Sequence, residues 1–277
     1  MVFWLEYFPE KLIREIRPAQ QREFIKHLVD QGYSENTIKG IFKTGSAAIS
    51  FAWRNDMLLH QLPLLSPTKE LSKYTFAEKK RWRALELSEI ASMIEHSTSD
   101  YLIRYIILMI GCTCRPAAAI ELEGNQVDLQ AGTINLLKKG TKQNNKYRPT
   151  IKLPSFIRLM YHDDNICYER PITLSSSRQV DTLRKAWAGA KRRGNLDALV
   201  VPVSIRHTMA KWLRQSGVEP WQVSAQMGHS RQGSAITEIY APSDPSYLSD
   251  SLIAIEEYFD LLQAECPRLK RYMDGLK

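Results

Sequence analysis

The sequence predicts a mainly α-helical protein with one small β-sheet, an α+β chain in two parts: a helical N-terminal module over residues 1–80 and a larger domain over 81–277. Apolar residues recur at helical spacing through most of the chain. One pair of β-prone runs, TINLL (133–137) and RPTIKLP (148–154), interrupts that pattern. Between the two parts, from His60 to about Arg83, lies a stretch rich in Pro, Ser and charge that suits an exposed basic linker.

In chain order, residues 18–32 place Phe24, Ile25, Leu28 and Val29 on one helical face, with Pro18 at the start and Gly32 past the end. Ser34 is a natural N-cap for a second helix, whose Gly45, Ala47, Ala48 and Ala52 permit close packing. Further helices are expected at 87–96 and 101–112, and a short one beginning at Pro116, a favoured first helical residue. The run Tyr101–Cys112 is broken by Arg104 and falls short of the about 20 residues a bilayer needs, so it reads as a buried helix. Gly140, Asn144 and Asn145 suit a long hairpin loop between the two strands. The remainder reads as mainly helical. The N-terminal MVFWLEYFPEKLIREIR lacks the small-residue cleavage site of a signal peptide, and no targeting signal is expected.

The 38 Lys and Arg outnumber the 30 Asp and Glu, giving a formal charge of +8, which favours a polyanionic partner. The excess is local. Six basic residues and no acidic one lie between Lys138 and Lys152, whereas acidic residues predominate from Pro245 onward. Cys112, Cys114, Cys167 and Cys266 have neither zinc-site spacing nor the density of a disulfide scaffold, which fits a reduced cytoplasm.

Five features then fall in one order. Arg115 precedes the Pro-started helix in GCTCRPAAAIEL. Lys139 stands directly before Gly140 in the hairpin. Arg206 and His207 share VPVSIRHTMAKWLRQSG, where Ile205, Met209, Trp212 and Leu213 form an apolar stripe that fixes the helix in a core. Gly228 ends a helix started by Pro220 and leaves His229 at its terminus. Tyr240 follows in a short segment closed by Pro242. Taken singly, each has a bland reading: a surface or ion-paired arginine, a solvated lysine, a buried structural arginine, a capping histidine, one tyrosine among twelve. Together, and over residues 85–245, they resemble the tyrosine recombinase (phage-type integrase) family.

The resemblance implies a SAM-like helical core-binding module followed by a recombinase catalytic domain. Tyr240 would be the nucleophile, Arg115 and Arg206 the clamp on the scissile phosphate, His229 a hydrogen-bonding assistant and Lys139 the general acid for the leaving 5′ oxygen. Lys138, Lys142, Lys146, Arg148 and His207 would contact DNA. The chemistry accounts for these residue types. A phosphodiester under attack carries about two negative charges, which paired guanidiniums hold in bidentate fashion. A phenol, with pKa near 10, loses its proton more readily beside cations. No metal or other cofactor is implied. The implied partners are double-stranded DNA, further copies of the chain in a homotetramer on two paired DNA sites, and accessory DNA-bending proteins, with no membrane. The implied setting is the bacterial cytoplasm, at the nucleoid, on a phage or other mobile element.

Three departures accompany the resemblance. Position 203, three before Arg206, is usually His and here is Val203; His207 is no obvious substitute, since it points about 100° away from Arg206 on the helix. The interval from His229 to Tyr240 is two residues longer than usual, with Arg231, Gln232, Gly233 and Ser234 in the enlarged loop. The N-terminal module also reads as short of its usual first helix, a truncated or late-starting form. Val203 keeps open an alternative, a catalytically decayed integrase-like protein that binds DNA without cutting. A topoisomerase with the same chemistry is disfavoured by the short chain. The helix from about Leu248 to Leu262 has an apolar face for either a neighbouring subunit or its own core.

Overall fold

A computed structural model describes residues 2–58, 60–77, 80–143, 146–161, 171–172, 180, 182–229 and 244–276. The chain divides into two units, Met1–Lys79 and Lys80–Lys277.

In the first unit, α1 (Val2–Tyr7) plants Trp4 in an aromatic centre with Phe8, Phe24 and Phe42. Its indole N–H donates to the Ile41 carbonyl at 3.0 Å. The ring is seated on Gly45 of α3 (Glu35–Arg54), where a Cβ would fall inside the indole. α2 (Pro18–Asp30) buries Phe24, Ile25 and Leu28, and Ser34 caps α3 by accepting from the Thr37 N–H at 3.4 Å.

The expectation of an exposed linker from residue 60 is corrected for residues 60–76. Leu71, in α4 (Pro67–Leu71), belongs to the core of this unit, and Leu62, Leu64, Tyr74 and Phe76 pack against it. The buried amide of Gln21 fixes this extended stretch, donating to the Pro63 carbonyl at 2.9 Å and accepting from the Leu65 N–H at 2.9 Å.

The second unit is built around α6 (Asp100–Cys112), buried on nearly every side, as an apolar run broken only at Arg104 requires. Against it pack α5 (Leu87–Glu95), α7 (Pro116–Ile120), α8 (Ser155–Met160) and α10 (Pro202–Gln215). A three-stranded antiparallel sheet in the order β1 (Val127–Asp128), β2 (Thr133–Asn135), β3 (Thr150–Lys152) pairs Ile134 with Ile151, both fully buried. The strands are shorter than expected, and β1 was not foreseen. α9 (Arg184–Arg193) and α11 (Pro220–Met227) flank α10 in sequence.

The C-terminal helices are α12 (Ser249–Glu265) and α13 (Pro267–Asp274). Of the two partners open to the helix after Leu248, its own core takes most of the apolar face: Ala254, Ile255, Tyr258, Phe259 and Leu262 are buried within this unit, while Ile253 stays exposed. Among the described residues no helix is long and apolar enough to cross a membrane.

Candidate functional site

Arg206 lies in the second turn of α10, on a helix held by buried Ile205, Met209 and Leu213, and is itself only 5% exposed. Its guanidinium donates to the Thr113 carbonyl at 2.8 Å, to the Met227 carbonyl at 2.7 Å and to His229 Nε2 at 3.3 Å. Each acceptor comes from a helix terminus. Thr113 follows α6 in the left-handed region (φ 45°), which turns its carbonyl toward Arg206. Met227 ends α11, and Gly228 after it also takes a left-handed conformation (φ 64°).

Arg115 caps the start of α7 and is half-buried. It donates to the Tyr147 carbonyl at 2.8 Å and to the Gly228 carbonyl at 3.3 Å. Glycine is needed at 228 for space as well as φ, because a Cβ there would come within 2.6 Å of the Tyr147 oxygen and of Pro149 Cδ. The return arm of the hairpin therefore lies directly against the turn that carries His229.

Among the described residues no carboxylate pairs with Arg115 or Arg206. Among the described residues their bonds run to neutral acceptors, so the two positive charges lie together in a half-enclosed place. Burial, then the like charge of Arg115, pulls the Arg206 guanidinium down to about 10, with nearby Cys114 opposing. Burial first, then Arg206, Arg115 and Arg214, lowers the His229 imidazole below its ordinary value. A guanidinium has no acceptor, so His229 Nε2 must accept from Arg206 and the ring proton sits on Nδ1. Such a cluster can offer several N–H donors to one anion.

Lys139 is exposed in a turn closed by Thr141, whose N–H and hydroxyl both donate to the Lys138 carbonyl, with Gly140 at φ 78°. Lys142 and Lys146 are exposed on the loop. Two of its cations are held by carboxylates: Lys138 by Glu123 at 2.9 Å and Arg148 by Glu121 at 2.6 Å. The sequence reading missed those acids, though the spacing Glu121-x-Glu123 at the end of the first arginine segment was visible.

His207 is half-buried and lies flat against Trp82, ring centroids 3.3 Å apart. Val203 occupies the first turn of α10, half-buried. Cys112 and Cys114 are buried core residues. Among the described residues no cluster of three metal-ligating side chains occurs. Tyr240, with Arg231, Gln232, Gly233, Ser234 and Pro242, lies outside the described residues, as do Cys167, Asn144 and Asn145.

The sequence pattern of the phage integrase family matches residues 80–246. The chain belongs to that family, the tyrosine recombinases. Its fold is similar to that of the integrase of transposon Tn1549, solved in complex with circular intermediate DNA, at a TM-score of 0.63 and 13% identity over 91% of this chain and 89% of that one. It is likewise similar to lambda integrase, solved as a dimer bound to a COC′ core site, at a TM-score of 0.62 and 13% identity over 85% of this chain and 84% of that one. No curated protein matches the sequence.

Proposed function

We propose that this chain is a site-specific DNA recombinase that breaks and rejoins strands through a covalent 3′-phosphotyrosine link. The observation that carries the reading is the Arg206–Arg115–His229 cluster: two guanidiniums fixed by carbonyls, with no carboxylate paired to them among the described residues, Arg206 itself being buried. Hydrogen-bond donors held in advance toward developing charge act most strongly in such surroundings. The solved complexes of the Tn1549 and lambda integrases with DNA support the substrate class.

In the proposed reaction Arg115 and Arg206 bind the nonbridging oxygens of the scissile phosphate, and His229 adds a hydrogen bond. Tyr240 Oη bonds to phosphorus, passing its proton to solvent, as the P–O5′ bond breaks. Lys139 gives a proton to the leaving 5′ oxygen. The new ester keeps the energy of the broken bond, so a 5′ hydroxyl of another duplex reverses the step and releases Tyr240. Lys138, Lys142, Lys146, Arg148 and His207 contact DNA. The N-terminal unit, Met1–Lys79, serves as a second DNA-gripping module. The working assembly is a homotetramer on two paired sites in the bacterial cytoplasm, with accessory DNA-bending proteins.

A second reading, a relative that binds DNA without cutting, is favoured by Val203, which puts an apolar group in the first turn of the helix carrying Arg206. One experiment separates the two. Repeated half-sites are sought in the DNA flanking the gene, built into a nicked duplex that traps the intermediate, and mixed with the protein in EDTA. A 3′-linked protein adduct is expected from the parent and none from Tyr240→Phe, which should still bind. Binding with no adduct from the parent would establish the non-cutting reading, and an undiminished adduct from Tyr240→Phe would remove Tyr240 from its role.

A further inference from the structure

The lead-in to the second unit is tied along α10 by three contacts. Thr208 Oγ1 accepts the Leu85 N–H at 2.7 Å and donates to the Leu85 carbonyl at 3.3 Å. Arg83 bridges Glu89 and Asp197, the latter in the loop that feeds α10. Trp82 lies flat on the His207 imidazole, centroids 3.3 Å apart and planes 2° apart. Thr208 and His207 directly follow Arg206, so this strap grips the turn that presents the buried guanidinium.

The Trp82 contact orients as well as buries. The indole is 43% exposed, so a large part of its surface stays in water while the rest is covered. What the stack fixes is the plane and position of an imidazole that would otherwise turn about its side-chain bonds. His207 lies four residues after Val203 and therefore shares its face of α10. Helical side chains lean toward the helix N-terminus, which carries the His207 ring over the turn where Val203 offers no polar group. The surroundings agree: burial first, then Arg206 and His229, hold His207 below its ordinary proton affinity. A neutral imidazole there has one donor and one acceptor to offer.

We propose that Trp82 is a positioning residue that holds His207 against the rim of the Arg206–His229 cluster, where the imidazole makes a further hydrogen bond to the bound DNA phosphate. This rests on the strand-cleavage reading for its consequence in rate, and on DNA binding alone for the contact. It also assigns work to a polar group on the face where Val203 has none.

The test uses the full chain with ¹³C-labelled histidine, the His207 Cε1–H signal being assigned by its loss in His207→Gln. In the parent, ring current from the stacked indole should displace this signal upfield, and a short DNA duplex should shift it. Trp82→Phe should keep both effects; Trp82→Ala and Trp82→Leu should lose both, with Leu preserving bulk if Ala perturbs folding. On the nicked substrate, Trp82→Leu should slow single-turnover adduct formation roughly tenfold, less than the 10² to 10⁴ of a full acid–base group, with DNA affinity within about twofold of the parent. In a His207→Gln background, Trp82→Leu should cost nothing more. A His207 signal that responds to DNA equally without Trp82, or an undiminished second loss in the His207→Gln background, overturns the proposal. If the parent forms no adduct, strand cleavage fails as a reading, and the duplex titration still decides whether Trp82 positions His207.

Discussion

Two groups of cations in the second unit are held in opposite ways. Arg206 and Arg115 are fixed by the carbonyls of Thr113, Met227, Tyr147 and Gly228. Lys138 and Arg148 on the hairpin are held by carboxylates, Glu123 and Glu121. Carbonyls orient a guanidinium without neutralising it. Carboxylates neutralise as well as orient, and a phosphate must displace them. The first arrangement suits charge that appears during a reaction, and the second suits docking that can be made and broken. The difference predicts that substitutions in the cluster act on rate, and those on the hairpin act on affinity and its salt dependence.

The largest effect is expected at Arg206. Arg206→Lys keeps a positive charge but cannot reach the Thr113 and Met227 carbonyls with a planar fork while leaving N–H groups for a phosphate. Adduct formation in single turnover should fall about 10² to 10³ fold, the cost of removing one well-placed donor to a developing oxyanion. DNA affinity should change far less, since the hairpin cations proposed to contact phosphate are untouched. Equal losses in rate and affinity would make Arg206 an anchor like the hairpin cations and dissolve the distinction. Melting must be followed in parallel, because removing a buried hydrogen-bonded group destabilises.

A smaller effect, of opposite sign, is expected at the acids. Glu121→Gln with Glu123→Gln releases Arg148 and Lys138, so DNA binding should tighten several-fold at low salt. The gain should shrink as salt screens the ion pairs in the parent. Lys138 and Glu121 are exposed while Glu123 and Arg148 are largely covered, so the melting temperature should fall modestly. Lys142→Ala, by contrast, should lower the log–log salt slope by about 0.9 if that lysine contacts one phosphate. Unchanged affinity in the double Gln variant would mean that these pairs persist on DNA and that the hairpin docks through its other cations.

How far the site was legible depends on which atoms build it. Side chains were legible: the spacing of Ile205, Met209 and Leu213 predicts that α10 is embedded, and hence that Arg206 is rigid. The carbonyls that aim it were not, because backbone oxygens carry no sequence label; only Gly228 hints at a sharp turn, and the left-handed Thr113 gives no such hint. For His207 the informative neighbour is Val203. The angle from His207 to Arg206 is about 100°, yet Val203 lies four residues away on the same face. At the level of fold, Pro63 and Pro67 outweighed the apolar series Leu62, Leu64, Leu71, Tyr74 and Phe76, and a packed segment read as linker. β1 spans two residues, too short for a period-two pattern to register.

The smallest effect concerns pH, and it tests whether the cluster is as short of negative charge as its bonding implies. Burial and neighbouring cations lower both His229 and His207 from the usual 6.5. For a base depressed in the folded state, the unfolded chain binds more protons over the interval between the two values, so stability rises with pH there and levels off above about 6.5. The melting temperature should therefore fall as pH drops from about 7.5 to about 5.5. Both rings are partly solvated, so the shift should stay below the roughly 2–4 °C that 1 kcal/mol produces in a domain of this size. His207→Gln with His229→Gln should flatten that part of the profile, after subtraction of the pH dependence common to both proteins. DNA supplies the reverse sign. A phosphate beside the rings favours their protonated forms, so the complex takes up protons and affinity should increase over the same acid interval in which the free fold weakens. Melting curves and DNA titrations at matched pH and salt check both directions. A parent whose stability and DNA affinity fall together toward acid would mean that no phosphate sits near these imidazoles, and that the contrast between the cluster and the hairpin has been drawn in the wrong place.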